Sequence, residues 1–97
     1  MLTRYVYLRL KAERRAERDG LVAQARELLT PLPMVRSFKA GTPADEGAER
    51  AWDICFEIRL DDLAAVDLWQ TDPIHRDYVD NTLKPCVEVK KAWNFEV

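Results

Sequence analysis

The segment from Trp52 to Leu60 alternates strictly between apolar and polar or small side chains, and this pattern limits the fold more than any other feature of the chain. A period of two places all of its apolar side chains on one side of a β-strand. The segment from Arg4 to Leu10 alternates in the same way, with Val6, Leu8 and Leu10 on one side. Two such strands predict a sheet with one face covered by a second layer of structure.

The other segments complete a βαββαβ order within 97 residues, which leaves room for one core. Asp61 or Asp62 is expected to cap a short helix, and Asp72-Pro73 favours the start of the next. The predicted elements are strands at 4–10, 34–40, 52–60 and 87–97, helices at 13–29, from 61 or 62, and from 72 to about 83, and a loop at 44–50. The sequence therefore predicts an α+β plait: one four-stranded antiparallel sheet with helices on a single face, as one domain over residues 1–97.

Both faces of the predicted sheet carry large apolar side chains. The face expected to lie under the helices carries Val6, Leu8, Leu10, Trp52, Ile54, Phe56 and Ile58. The opposite face is expected to carry Tyr5, Tyr7, Val89, Trp93, Phe95 and Val97, interleaved with the charged residues Arg9, Asp53, Glu57, Arg59 and Lys91. An exposed aromatic patch of this kind predicts a homodimer interface, although high strand propensity of aromatic residues is the alternative explanation.

Composition narrows the class of function. A net charge of −2 argues against nucleic-acid binding, which needs a concentrated cationic face. We expect no membrane association, because no apolar run approaches the ~20 residues that span a bilayer, and the N-terminus does not resemble a signal peptide. Two separated cysteines, Cys55 and Cys86, predict a reducing cytoplasm and leave their own roles open. One histidine and scattered carboxylates give no metal-ligand spacing, so we expect neither a metal nor another cofactor.

The order of several motifs resembles the stress-responsive α/β-barrel (Dabb) domain family over essentially the whole chain. The matching segments are 5–11, 32–41, 52–62, Asp72-Pro73-Ile74-His75, Leu83-Lys84-Pro85 and 93–97. The resemblance implies a ferredoxin-like homodimer in which two sheets pack face to face as an α+β barrel with the helices outside. A few family members are cofactor-free polyketide cyclases whose base stands at the position of His75. Trp69 stands where those cyclases carry an assisting tyrosine, and Arg4, Asn94 and Asp72 also differ from the family's usual residues.

His75 and Tyr78 are the candidate catalytic residues. If Asp72 caps the helix, His75 lies in its first turn, where the helix dipole lowers the pKa of the imidazole and favours the neutral form that a general base needs. The carboxylate of Asp72 has the opposite effect on that pKa, and local packing is the alternative role for the ring. Tyr78 follows on the same helix face as a candidate proton donor, with packing against the sheet as its alternative.

The candidate ligand-binding residues combine a polar end with apolar walls. Arg4 and Asn94 are expected on the covered face of neighbouring strands, where they could bind a carboxylate or an enolate-like oxygen. Alternatively, Arg4 extends to solvent. The predicted walls, which could equally be simple core, are Val6, Leu8, Trp52, Phe56 and Trp69.

These patterns favour a dimeric domain that binds a small hydrophobic or aromatic ligand between helices and sheet, with Tyr5, Tyr7, Trp93 and Phe95 at the dimer interface. One alternative is a cofactor-independent polyketide-cyclase-like or proton-transfer enzyme with His75 as general base. A cofactor-free monooxygenase on the same plait is a further alternative. An enclosed cavity of roughly 300 Å³ or more beside His75 would favour chemistry.

Overall fold

The computed structural model describes residues 1–97 and contains one four-stranded antiparallel sheet. The strands are β1 (Leu2–Leu10), β2 (Ser37–Gly41), β3 (Ile54–Leu60) and β4 (Val87–Glu96). They lie in the order β2-β3-β1-β4, so the two longest strands are neighbours. The predicted α+β plait is confirmed.

Helical segments fill the connections between the strands. They are a 3₁₀ helix (Ala12–Glu17), α1 (Arg18–Leu29), α2 (Glu46–Ala51), α3 (Leu63–Thr71), α4 (Pro73–Asp77), a π-helix (Tyr78–Leu83) and a second 3₁₀ turn (Lys84–Cys86). The apolar sides of α1, α3 and the π-helix join the covered face of β1 and β3 in one core of 19 buried residues. That arrangement places a helical layer over a single face of the sheet.

The structure differs from the sequence prediction around residues 44–50, where a loop was expected. Helix α2 occupies most of this segment, and the side chain of Asp45 caps it by accepting a hydrogen bond from the Ala48 N–H at 2.8 Å. The helix has no buried residue, so it lacks the apolar periodicity by which longer helices are recognised. Strand β2 also begins at Ser37 rather than at residue 34, and residues 13–17 are 3₁₀ rather than α-helical.

The predicted alternation of faces is wrong at the first two residues of the 52–60 segment. Trp52 precedes β3 and packs on the ring of Tyr7, on the face away from the helices, with ring centroids 5.7 Å apart. Asp53 was expected on that open face but is only 1% exposed. Its Oδ2 accepts a hydrogen bond from the Leu10 N–H at 2.8 Å. The extended backbone turns into β3 here, and regular alternation begins only at Ile54.

Asp53 also lies close to two arginines at the start of the first helical segment. Its Oδ1 is 3.5 Å from Arg15 Nε and 3.7 Å from an Arg18 Nη. A buried carboxylate is costly unless cations or hydrogen-bond donors surround it. The three side chains therefore fix the end of β1 and the start of α1 to the same point.

Candidate ligand-binding site

A cavity of about 240 Å³ lies between the helical layer and the sheet. Val6 of β1 and Phe56 of β3 contribute the sheet side, and Trp69 of α3 and His75 of α4 contribute the helical side. Its volume is somewhat below the roughly 300 Å³ expected for a typical small-molecule site, and it opens partly to solvent.

The start of α4 fixes the position of His75. Asp72 Oδ1 accepts hydrogen bonds from the Ile74 N–H at 2.9 Å and the His75 N–H at 3.2 Å, and Pro73 occupies the first helical position. The cap predicted from Asp72-Pro73 is confirmed. The imidazole lies against Trp69 with ring centroids 4.3 Å apart, and the residue is only 7% exposed.

The environment of His75 favours a neutral imidazole. Burial above all, and then the nearby charges of Arg76, Lys90 and Arg4, lower the pKa of His75 from 6.5 to about 4, against a smaller opposite effect of Asp72. The direction agrees with the sequence prediction, but burial is the main cause. The Nδ1 atom is buried and has no hydrogen-bond partner, so one polar atom of the ring is unsatisfied.

Arg4 and Asn94 lie side by side, as predicted from strand parity. They are paired residues of β1 and β4, and an Arg4 Nη donates to Asn94 Oδ1 at 3.1 Å. Arg4 is 8% exposed and lines the cavity, and burial lowers the pKa of its guanidinium. Asn94 is not on the cavity wall and acts there only through Arg4.

Two further cationic side chains, which the sequence did not predict, line the cavity. Arg76 of α4 forms an ion pair with Asp80 and donates to the Gln70 carbonyl at 3.5 Å. The pKa of Lys90 is lowered by desolvation and by the charges of Arg4 and Arg76. Lys90 and Asn94 are an even number of residues apart on β4, so both lie on the covered face of the sheet. The argument that predicted the position of Asn94 therefore applies to Lys90 as well. No Asp or Glu side chain lines the cavity.

Tyr78 differs from its expected role as proton donor. Its ring lines the cavity, but its hydroxyl donates a 2.7 Å hydrogen bond to the Leu21 carbonyl of α1. Burial raises the pKa of this phenol well above its usual value. The hydroxyl therefore joins the π-helix to α1. Packing, which was the alternative to a proton-donor role, describes Tyr78 better.

Two of the expected wall residues lie elsewhere. Trp52 lies on the other side of the sheet, beside Tyr7, because the alternation begins only after it. Leu8 is fully buried and contributes to an adjacent cavity rather than to this one. Val6, Phe56 and Trp69 line the cavity as expected.

The open face of the sheet carries the four rings that were expected there. Tyr5 packs edge-on against Phe95 with centroids 5.9 Å apart, and Tyr7 lies 6.3 Å from Trp93. Trp93 is 49% exposed and Phe95 is 54% exposed. These four residues, called the aromatic face below, line a shallow groove with Glu96 and Val97.

No set of three or more His, Cys, Asp or Glu side chains is arranged to hold a metal ion. None of the helices has the length and apolar character needed to cross a membrane.

A four-stranded antiparallel plait with a cavity beneath its helices defines a ferredoxin-like α+β domain. The chain belongs to the stress-responsive A/B barrel domain (Dabb) family, whose family model matches residues 2–97. No curated protein sequence matches the chain.

Solved structures with the same fold have diverse descriptions. A dimeric ferredoxin-like protein of unknown function from Thermobifida fusca has a TM-score of 0.85 and 15% identity, with coverage of 99% of this chain and 90% of that one. An antibiotic biosynthesis monooxygenase has a TM-score of 0.81 and 13% identity, with coverage of 100% and 98%. Hydroxynitrile lyase from Passiflora edulis has a TM-score of 0.75 and 19% identity, with coverage of 97% and 90%. At these identities the similarity establishes the fold and no particular activity.

Proposed function

We propose that the cavity binds a small aromatic ligand that carries a carboxylate. The observation that supports this most directly is the cavity's charge: Arg4, Arg76 and Lys90 line it and no acidic side chain does, although the whole chain has a net charge of −2. Cations concentrated in a recess of an otherwise acidic chain favour an anionic occupant.

Arg4 provides the strongest reason for a carboxylate in particular. Its guanidinium is largely buried, and its only side-chain partner is the neutral amide of Asn94. Burying an arginine without an anion is unfavourable, and its planar donors match a carboxylate in geometry. A bound carboxylate would therefore supply the charge that this site lacks.

The rest of the cavity suits a flat apolar body. Trp69, Phe56 and the His75 ring present aromatic surface next to the cations. Aromatic pairs gain roughly 0.5–1.5 kcal/mol beyond simple burial of their area. Charge at one end and aromatic surface at the other define the proposed ligand class.

Calorimetric titration with 2-naphthoate and with neutral 2-naphthalenemethanol tests this proposal. We expect the carboxylate to bind more tightly, and Arg4→Met to weaken its binding by about 10- to 100-fold, because hydrogen bonds to charged groups contribute about 1.5–3 kcal/mol. Arg50→Ala is the matched control, since Arg50 is an exposed arginine of α2 that does not line the cavity. Equal binding of acid and alcohol would contradict the proposal.

Proton transfer from such a ligand is a second candidate function, supported by the state of His75. A neutral imidazole with an unpartnered nitrogen can accept a proton, and an enolate formed from the ligand would lie near Arg4. An enolisable aryl β-keto acid in deuterated buffer provides the assay. Rapid exchange of its α-proton that is lost in His75→Ala, with assembly intact, is the expected result. Loss of assembly in this variant would instead indicate a structural role for His75.

We further propose that the chain forms a homodimer through the aromatic face. A sheet face with half-exposed Trp93 and Phe95 is unusual for a monomer, and the T. fusca protein of the same fold is described as dimeric. Sedimentation equilibrium should give a dimer for the native chain and a monomer at micromolar concentration for Trp93→Glu. Leu63→Glu on α3 is the control, because Leu63 is also an exposed apolar residue but lies outside the aromatic face. A native monomer would refute the proposal.

A cytoplasmic location is proposed from the cysteines alone. Cys55 and Cys86 are both free thiols, which a reducing compartment preserves. Cell fractionation should recover the protein with cytoplasmic markers, and recovery in a secreted fraction would contradict this.

A further inference from the structure

A second cavity, of about 340 Å³, lies beside the first. It lies between the π-helix and β4, and Leu8 and Val87 belong to its apolar lining. Four residues line both cavities: Arg76, Val79, Leu83 and Lys90. These four are called the partition below.

The sheet side of the two cavities runs along the same strand. Arg4, Val6 and Leu8 alternate along one face of β1, with Arg4 and Val6 in the first cavity and Leu8 in the second. Because a strand rises by about 3.4 Å per residue, Arg4 and Leu8 are about 14 Å apart along it. The two cavities are therefore placed end to end along β1.

The members of the partition differ in their freedom to move. Val79 and Leu83 belong to the π-helix and pack against the core, so they are held in place. Lys90 has neither an ion pair nor a side-chain hydrogen bond, and Arg76 is held by Asp80 and the Gln70 carbonyl. The Arg76–Asp80 pair is half exposed, and ion pairs of this kind are weak.

We propose that Arg76 is the specificity-determining residue that limits the length of the ligand. While Asp80 holds it, the first cavity ends at Arg76 and admits only a compact aromatic acid. When the carboxylate of a longer ligand replaces Asp80 as the partner of Arg76, the side chain moves and the second cavity receives the remainder of the ligand. This inference rests on the proposed binding of aromatic carboxylates and adds a size limit to it.

The balance of interactions makes this exchange of partners feasible. Arg76 exchanges one carboxylate for another, so its own charge stays paired. Within the cavity, the ligand's carboxylate would lie closer to Lys90 and Arg4 than the Asp80 carboxylate does. Charge-assisted hydrogen bonds are stronger there than at the half-exposed Asp80. Asp80 lines the second cavity and is half exposed, so its carboxylate can remain hydrated after it loses Arg76.

Fluorescence titration with 2-naphthoate and 4-(1-pyrenyl)butanoate tests the proposal through the ratio of the two dissociation constants. The native protein should prefer the compact naphthoate. Arg76→Ala should weaken the binding of both acids, since it removes a cation that either carboxylate can contact, and should shift the ratio towards the longer pyrenyl acid, because the side chain that ends the first cavity is gone. Asp80→Asn keeps the Arg76 charge and should shift the ratio in the same direction by about two- to five-fold, consistent with the small strength of a half-exposed pair.

Arg50→Ala is the matched control, because it removes an exposed arginine from another i,i+4 pair, with Glu46, and should leave the ratio unchanged. Native-like binding ratios in both Arg76→Ala and Asp80→Asn would overturn this inference and leave carboxylate binding in place. Failure of the native protein to bind either acid would overturn the inference together with the proposed function. Asp80 is half exposed, so its variant should fold and carry the test if Arg76→Ala does not.

Discussion

Acidification should destabilise the native protein through His75 in a pH range where few other groups respond. In the native state the pKa of His75 is about 4, against 6.5 for a free histidine. This difference corresponds to at most about 3.4 kcal/mol. Because the unfolded chain takes up the proton below pH 6.5 and the folded chain does not until about pH 4, stability is highest above 6.5 and falls between these values. Contact of the ring with the partly open cavity reduces the expected loss to about 2 kcal/mol by pH 4.5.

Two measurements separate this effect from the titration of carboxylates. His75 is the only histidine, so the imidazole Cε1–H signal in a proton NMR titration belongs to it alone. Urea unfolding at pH 7 and at pH 4.5, at one fixed protein concentration, compares the native chain with His75→Gln. The carboxylates respond alike in both proteins, so the variant should lose about 2 kcal/mol less on acidification.

A titration midpoint near 6.5, or equal loss of stability in the two proteins, would refute the reasoning. Bound 2-naphthoate provides a further check, since its negative charge should raise the pKa of His75 from the value in the free protein. A midpoint that does not change on binding would place the ligand away from the ring.

Substitutions at three positions test the packing of the domain by urea unfolding at fixed protein concentration. Gly20→Ala should stabilise the protein by about 0.5–1 kcal/mol, because a Cβ on Gly20 of α1 meets nothing within 4 Å; destabilisation would show that the helix backbone there is strained. Asp53→Ala should cost about 2–4 kcal/mol, since it leaves the buried Leu10 N–H without its acceptor, and Asp53→Asn should cost less; equal small effects would show that the hydrogen bond contributes little. Tyr78→Phe should cost about 1–2 kcal/mol through loss of the buried bond to Leu21, and an unchanged stability would contradict that role.

The long strands and the capped helices were predictable because their signals are local. The Asp62 and Asp72 side chains cap α3 and α4, as their positions before apolar helical segments indicate. Helix α2 escaped prediction since all of its residues remain outside the core and leave no periodic pattern. Asp53 was assigned to the wrong face of the sheet for a related reason. The hydrogen bond from the Leu10 N–H that keeps its carboxylate buried depends on the tertiary structure.

In the candidate site, too, some residues were predictable from local sequence signals and others were not. Arg4 and Asn94 could be paired from strand parity, and the first turn of α4 placed His75. Arg76 was not predictable as a cavity residue, because an arginine next to an exposed helix face ordinarily contacts solvent. The hydroxyl of Tyr78 could not be assigned either, since its partner lies on α1, 57 positions earlier in the sequence.

Adjacent residues of β1 and β4 face opposite sides of the sheet. This alternation connects the occupancy of the cavity by its ligand to the concentration of the protein. Arg4 lines the cavity and is hydrogen-bonded to Asn94, whereas Tyr5 and Trp93, the next pair in register, belong to the aromatic face. If a second copy covers the aromatic face, it also restricts the motion of the strands that carry the arginine and its amide partner. Self-association and ligand uptake would then be thermodynamically linked, so that dilution weakens the affinity for the ligand and the ligand in turn opposes dissociation.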